Sequence, residues 1–143
     1  MPERMSGYME IPNAERMILS ELYKAVGGDL TEVLERLEDV ETVELFVLEF
    51  ADDPSYSMLL QSLQESDLES AFRAAHTLKG IGYSLGFKRL GDCSVKLCEK
   101  LREGTVPSAA DIRQFKTEYN CVISAIKNYK NDGATVKIDR FQI

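Results

Sequence analysis

Residues 68–85 read LESAFRAAHTLKGIGYSL. With His76 set at zero on a helical wheel of about 100° per residue, Ala71, Ala74, Leu78, Ile81 and Leu85 fall within about 40° of the point facing away from it. An apolar, partly small stripe of this kind is the inner face of a helix packed in a bundle. Phe72, Arg73, Lys79, Gly80 and Tyr83 gather around His76 on the other side. The protein's single histidine therefore points toward solvent and is not a satisfied core group.

Working outward, Ser66-Asp67-Leu68-Glu69 predicts a capping box at the start of this helix, and Gly86 its end. A following helix is expected over 87–102, with Leu90, Ser94, Leu97 and Leu101 on one stripe and Gly104 as its stop. Pro107-Ser108, with Asp111 as a second capping box, opens the last long helix. There Ile112, Phe115, Tyr119, Val122, Ile126 and Tyr129 keep a heptad-like spacing. Upstream, Asn13 to Ala25 has helix-forming composition and stops at Gly27-Gly28. Asp29, with Glu32 three residues on, opens another helix. Thr42 to Ala51 puts Val43, Phe46, Val47 and Phe50 on one face. Asp53-Pro54 starts a helix carrying Leu59, Leu60 and Leu63. The tail from Asn131 has no clear period; its TVKI segment is open to a short strand or a mobile end. The pattern predicts an all-α protein, an antiparallel four-helix bundle over 42–131. Residues 1–41 would form a helical extension with short N-terminal helices packing on or beside it, and 132–143 a C-terminal tail.

Composition narrows the function classes. At 143 residues one domain with a proper core is expected. No stretch reaches the length of a membrane-spanning helix, and Met1 to Pro12 lacks an apolar run and carries Glu3 and Glu10, unlike a signal peptide. A cytoplasmic protein is expected. Cys93, Cys98 and Cys121 are odd in number, lack CxxC spacing and fall at apolar helical positions. They are expected as small core residues rather than a metal or redox site. Net charge is −7, but it is unevenly spread. Residues 29–69 hold thirteen acidic residues against Arg36 alone. Residues 70–102 hold Arg73, Lys79, Lys88, Arg89, Lys96, Lys100 and Arg102 against Asp92 and Glu99. An acidic protein with one basic stretch around its histidine is a poor general nucleic-acid binder. It suits a partner that brings negative charge to that place.

Each neighbour of His76 has a chemical and a plain reading. Lys79 lies on the adjacent turn and reaches a group attached to the ring, where a phosphoryl group would bring about two negative charges; taken alone it is a solvated lysine. Gly80 is harder to dismiss, because glycine inside a helix costs about 1 kcal/mol relative to alanine. Its missing side chain clears the approach to the ring, and Gly82 and Gly86 add to this, although Gly86 is accounted for as a helix stop. Phe72 and Tyr83 either pack at the core edge or offer a docking patch. A lone exposed histidine has no set of metal ligands. No serine or cysteine nucleophile pairs with it, and no glycine-rich phosphate loop is present. What remains is a nucleophile that accepts and passes on a group. Histidine titrates near neutrality, which keeps an unprotonated nitrogen available.

At these residues the chain resembles a known family. Ala75-His76-Thr77-Leu78-Lys79-Gly80, with Gly86 ten residues after the histidine and then Leu90, is similar to the signature of histidine-containing phosphotransfer (HPt) domains, AHxLKG followed by a glycine and a leucine. The stretch FRAAHTLKGIGYSLGFKRL (72–90) also looks like the phosphotransfer domain of chemotaxis histidine kinases, and the resemblance spans Val43 to Tyr129. It implies a four-helix bundle with His76 as phosphoacceptor, Lys79 stabilising the phosphoryl group and Gly80 giving partner access. It implies receiver domains and a sensor histidine kinase as partners, no kinase activity, no cofactor, and magnesium only in the receiver. Phe72, Arg73, Tyr83, Lys88 and Arg89 are the expected partner-binding residues, and a monomer is expected. One departure is Ile81, where the family usually has a small residue; the wheel puts it on the core side, where repacking absorbs it. Three rivals stand beside this reading. One is a helical adaptor that binds a receiver without phosphotransfer, supported only by Ile81. Another is the detached phosphotransfer domain of a chemotaxis-type kinase, although a chain that starts at Met1 and ends soon after the bundle is more simply a stand-alone carrier. The last is a structural bundle with an incidental histidine, against which Gly80 argues.

Overall fold

The computed structural model describes the backbone of residues 18–142 and the side chains of residues 18–132. Among the described residues seven helices follow one another: α1 (18–25), α2 (Leu30–Leu37), α3 (Val40–Phe50), α4 (Ser55–Gln64), α5 (Leu68–Ser84), α6 (Lys88–Arg102) and α7 (Ala109–Gln142). No strand occurs among the described residues. Asp29 caps α2 by accepting from the Thr31 and Glu32 amides, and Asp39 caps α3 through the Thr42 amide. Ser108 caps α7 through the Asp111 amide. Gly27, Gly86 and Gly104 end α1, α5 and α6 at φ +72°, +77° and +76°, a region that glycine enters without steric cost.

Helix α5 packs against α4 and α6, and α6 against α7. Tyr56 of α4 closes the ring by stacking on Tyr119 of α7, with centroids 3.8 Å apart and planes within 4°. Short connections make successive helices antiparallel, so α4–α7 form the four-helix bundle. Its interior holds Leu59, Ala71, Ala75, Leu78, Leu90, Leu97, Phe115 and Ile126, all fully or almost fully buried. Each large apolar side chain among them contributes roughly 1.5–3 kcal/mol by leaving water.

The 34 residues of α7 make it twice as long as α5, about 51 Å at the helical rise. Its middle, from Cys121 to about Asp132, is covered by the N-terminal helices. The Tyr129 hydroxyl donates to Glu44 of α3, and the Cys121 thiol contacts the Ala25 carbonyl of α1 at 3.5 Å. Leu19, Leu22, Tyr23 and Val26 of the first turns join the same core as the bundle. A run of ring contacts passes from Tyr56 to Tyr119, Phe50, Phe87 and Tyr23, tying the bundle to α3 and α1.

Several expectations need correction. Of the helix expected over 13–25, residues 13–17 lie outside the described residues. The cap of α5 is Asp67, which accepts from the Ser70 amide, and not Ser66; Ser66 instead takes a positive φ of 59° in the preceding turn. Pro54 is the N-cap of α4 and not its first helical residue, while Asp53 before it accepts from the Ser55 amide. Phe46 is 41% exposed, because Val43, Val47 and Phe50 already fill the inner face of α3. Of the cysteines, Cys93 and Cys98 are buried, but Cys121 is only half-buried. The segment from Asn131 to Gln142 continues α7. Its β-branched Thr135, Val136 and Ile138 make no strand, since extending an existing helix is far easier than starting a new element.

Candidate phosphoacceptor site

His76 stands midway along α5 with its side chain exposed, while Ala75 and Leu78 beside it are fully buried. The Phe72 ring, one turn earlier, lies 5.8 Å from the imidazole at 38°. Lys79, one turn later, is half-buried and has no carboxylate partner among the described residues. Gly80 is exposed, and among the described residues a Cβ built on it would meet nothing within 4 Å. Its absent side chain therefore answers no packing need among the described residues. Gly82 differs: it is buried, and a Cβ there would stand 3.0 Å from the Gly91 amide nitrogen. Gly82 serves the close approach of α5 and α6, and so does not add to access at His76 as the sequence suggested.

The expected partner-binding residues do not form one patch. Phe72 and Arg73 flank His76, with Arg73 ion-paired to Glu69 at 2.8 Å. Tyr83 lies two turns beyond His76, at the α5–α6 end. Its ring rests on the Gly91 backbone, and its hydroxyl donates to the Asp92 carboxylate at 2.6 Å. That hydrogen bond is the main reason the phenol is pushed up to about 12. Lys88 meets the same carboxylate at 3.5 Å. Arg89 is engaged elsewhere: it pairs with Glu118 of α7 at 3.2 Å and donates to the Ala25 carbonyl of α1. With its charge neutralised there, it ties three helices together and does not stand beside the histidine.

Ile81 is half-buried against the core and lines a shallow groove with Leu37, Phe46, Phe50 and Leu85, off the exposed stripe of α5. The C-terminal end of α5 is held from a distance. One Arg36 nitrogen donates to the carbonyls of Tyr83 and Ser84 at 3.0 and 2.9 Å, and the other pairs with Glu32. Cations at a helix C-terminus also meet the negative end of its dipole. No local pattern announces this, because the contacts span 47 and 48 positions.

A further cation stands near the histidine. The Arg102 guanidinium of α6 lies over the Phe72 ring, 5.6 Å from its centroid. Local spacing gave no sign of it, since only the pairing of α5 with α6 brings Arg102 level with Phe72.

The Hpt domain model matches residues 30–129, so the chain belongs to the Hpt domain family. Searches of curated proteins and of solved structures found no match. Hpt domains are phosphotransfer carriers of two-component signalling, working with receiver domains and kinases, and the all-helical architecture agrees with this fold. No helix among the described residues is long and apolar enough to cross a membrane.

Proposed function

We propose that the protein is a phosphorelay carrier that accepts a phosphoryl group on His76 and exchanges it with the aspartate of receiver domains. The observation that carries this reading is the open space at Gly80 beside an exposed histidine. A glycine that weakens its own helix and relieves no internal contact is accounted for by a molecule arriving from outside.

In the step itself, the lone pair of an unprotonated ring nitrogen of His76 attacks phosphorus. The N–P bond forms as the P–O bond to the receiver's aspartate breaks, and the carboxylate leaves with the electron pair. The proton on the second ring nitrogen is retained or passed to water. Lys79 offsets the charge brought by the phosphoryl group, and Gly80 lets the receiver approach. Magnesium belongs to the receiver, the carrier needs no cofactor of its own, and it has no kinase activity. We take it to act in the cytoplasm as a monomer, fed by a sensor histidine kinase, without nucleic acid.

Intact-mass spectrometry after mixing with phosphorylated receivers and magnesium tests the proposal. The expected result is an acid-labile gain of one phosphoryl group in the wild type and none in His76→Gln. That variant should melt with the wild type, since an exposed substitution shifts stability by no more than about 0.5 kcal/mol. No gain from folded wild-type protein with any phosphorylated receiver would favour a receiver-binding adaptor instead.

A further inference from the structure

We infer that Arg102 is a second cation of the phosphoacceptor site, held on the face of Phe72 while His76 is bare and drawn onto the phosphoryl group once it arrives. The inference rests on the phosphoacceptor reading of His76 and extends it to a residue on a different helix.

Three observations carry it. First, the groups are contiguous: the guanidinium lies over Phe72, and the same ring flanks the imidazole at 5.8 Å. Second, side chains on a helix lean toward its N-terminus. In the antiparallel pair α5–α6, Arg102 therefore leans toward the level of His76, while Lys79 leans from the other direction toward the same level. Both cations act on the buried Cys98 thiol between them, which burial pushes up and which Lys79 and Arg102 pull back. Third, the charge of Arg102 is uncommitted. Arg73 and Arg89, the other arginines of these two helices, each face a carboxylate, Glu69 and Glu118. Arg102 has no ion pair among the described residues and rests on an aromatic face instead, a weak contact where it is exposed. A phosphoryl dianion offers a guanidinium two parallel charge-assisted hydrogen bonds, which are stronger. The exchange of partners is downhill, and it uncovers the Phe72 ring in the phosphorylated protein alone.

The test uses the full chain and phosphoramidate as donor. Its P–N bond breaks, ammonia leaves with the electron pair, and the N–P bond to His76 forms, so no receiver is needed. Mass spectrometry first confirms one phosphoryl group on His76; a wild type that takes none overturns the phosphoacceptor reading together with this inference. With the group in place, the 31P resonance is titrated and its decay followed. Arg102→Ala should raise the midpoint of the phosphoryl group's last ionisation and shorten the phosphohistidine lifetime several-fold, with Arg102→Lys between it and the wild type. Lys96→Ala, an equal loss of charge on α6 at a residue directed to Gln114, should leave both unchanged. An Arg102→Ala protein that is phosphorylated and shows the wild-type titration and lifetime would overturn the inference while leaving His76 as the acceptor.

Discussion

The hydroxyl of Tyr23 donates to the carbonyl oxygen of Leu85 at 2.7 Å, across 62 positions of sequence. Both groups are buried, and burial holds the phenol well above its ordinary range while Arg36 pulls against it. Tyr23→Phe keeps the ring against Phe87 but leaves the carbonyl at the end of α5 without this donor. A loss of about 1–3 kcal/mol in urea unfolding is expected. An unchanged midpoint would show that water replaces the hydroxyl at no cost.

Arg36 serves the same helix end from α2. Its side chain is 41% exposed, so Arg36→Ala should cost less, about 1 kcal/mol. Arg36→Lys should recover only part of this, because an ammonium cannot fork across the Tyr83 and Ser84 carbonyls while holding Glu32. Full recovery by lysine in thermal melts would reduce the role of Arg36 to its charge.

Gly80 and Gly82 should respond in opposite directions to alanine. Gly80→Ala fills open space and should stabilise the protein by about 1 kcal/mol, while slowing exchange with a phosphorylated receiver. Gly82→Ala forces the α5 and α6 backbones apart and should lower the melting temperature. A Gly80→Ala protein that gains stability and exchanges at the wild-type rate would contradict the access role.

The pH dependence follows from Asp67. A side-chain hydrogen bond with Ser70, followed by the Ser70 amide, holds its carboxyl below the ordinary 3.8. A lowered folded value stabilises the native state fully above the ordinary value, and the contribution is lost as pH falls below it, through the folded value. Asp67→Ala should therefore lower the melting temperature at neutral pH and converge with the wild type in strong acid. A difference that persists in acid would mean that packing, and not the cap charge, is what the substitution removes.

How much of this was legible in the sequence depends on the range of the interaction. Helix α5 could be read because its buried stripe and exposed histidine are set by a period of a few residues. The expected stripes of α6 and α7 are half-buried or buried at each named position, from Leu90 to Tyr129, for the same reason. The cap of α5 was missed by one position, since Ser66 and Asp67 are both good caps and only the backbone turn chooses. Phe46 was assigned inward because periodicity cannot say that three neighbours already fill the space. Arg89 and Arg102 looked alike as basic residues near the histidine. Their separation, one onto Glu118 and the other onto Phe72, is decided by which helices stand beside α6. The role of Arg36 was out of reach because its partners lie in a helix formed much later in the chain.

The covering of α7 by the N-terminal helices carries a consequence for synthesis. Residues 18–37 leave the ribosome well before the surfaces they cover: the Leu85 carbonyl, the backbone end of α5, and the Cys121 side of α7. The contact between Ala25 and Cys121 spans 96 positions. Local hairpins close faster than contacts of that span, so α5 and α6 pair before α1 and α2 have anything to sit on. These upstream helices then dock after the hairpin that follows them, and until they do, Leu19, Leu22 and Val26 remain open to a chaperone.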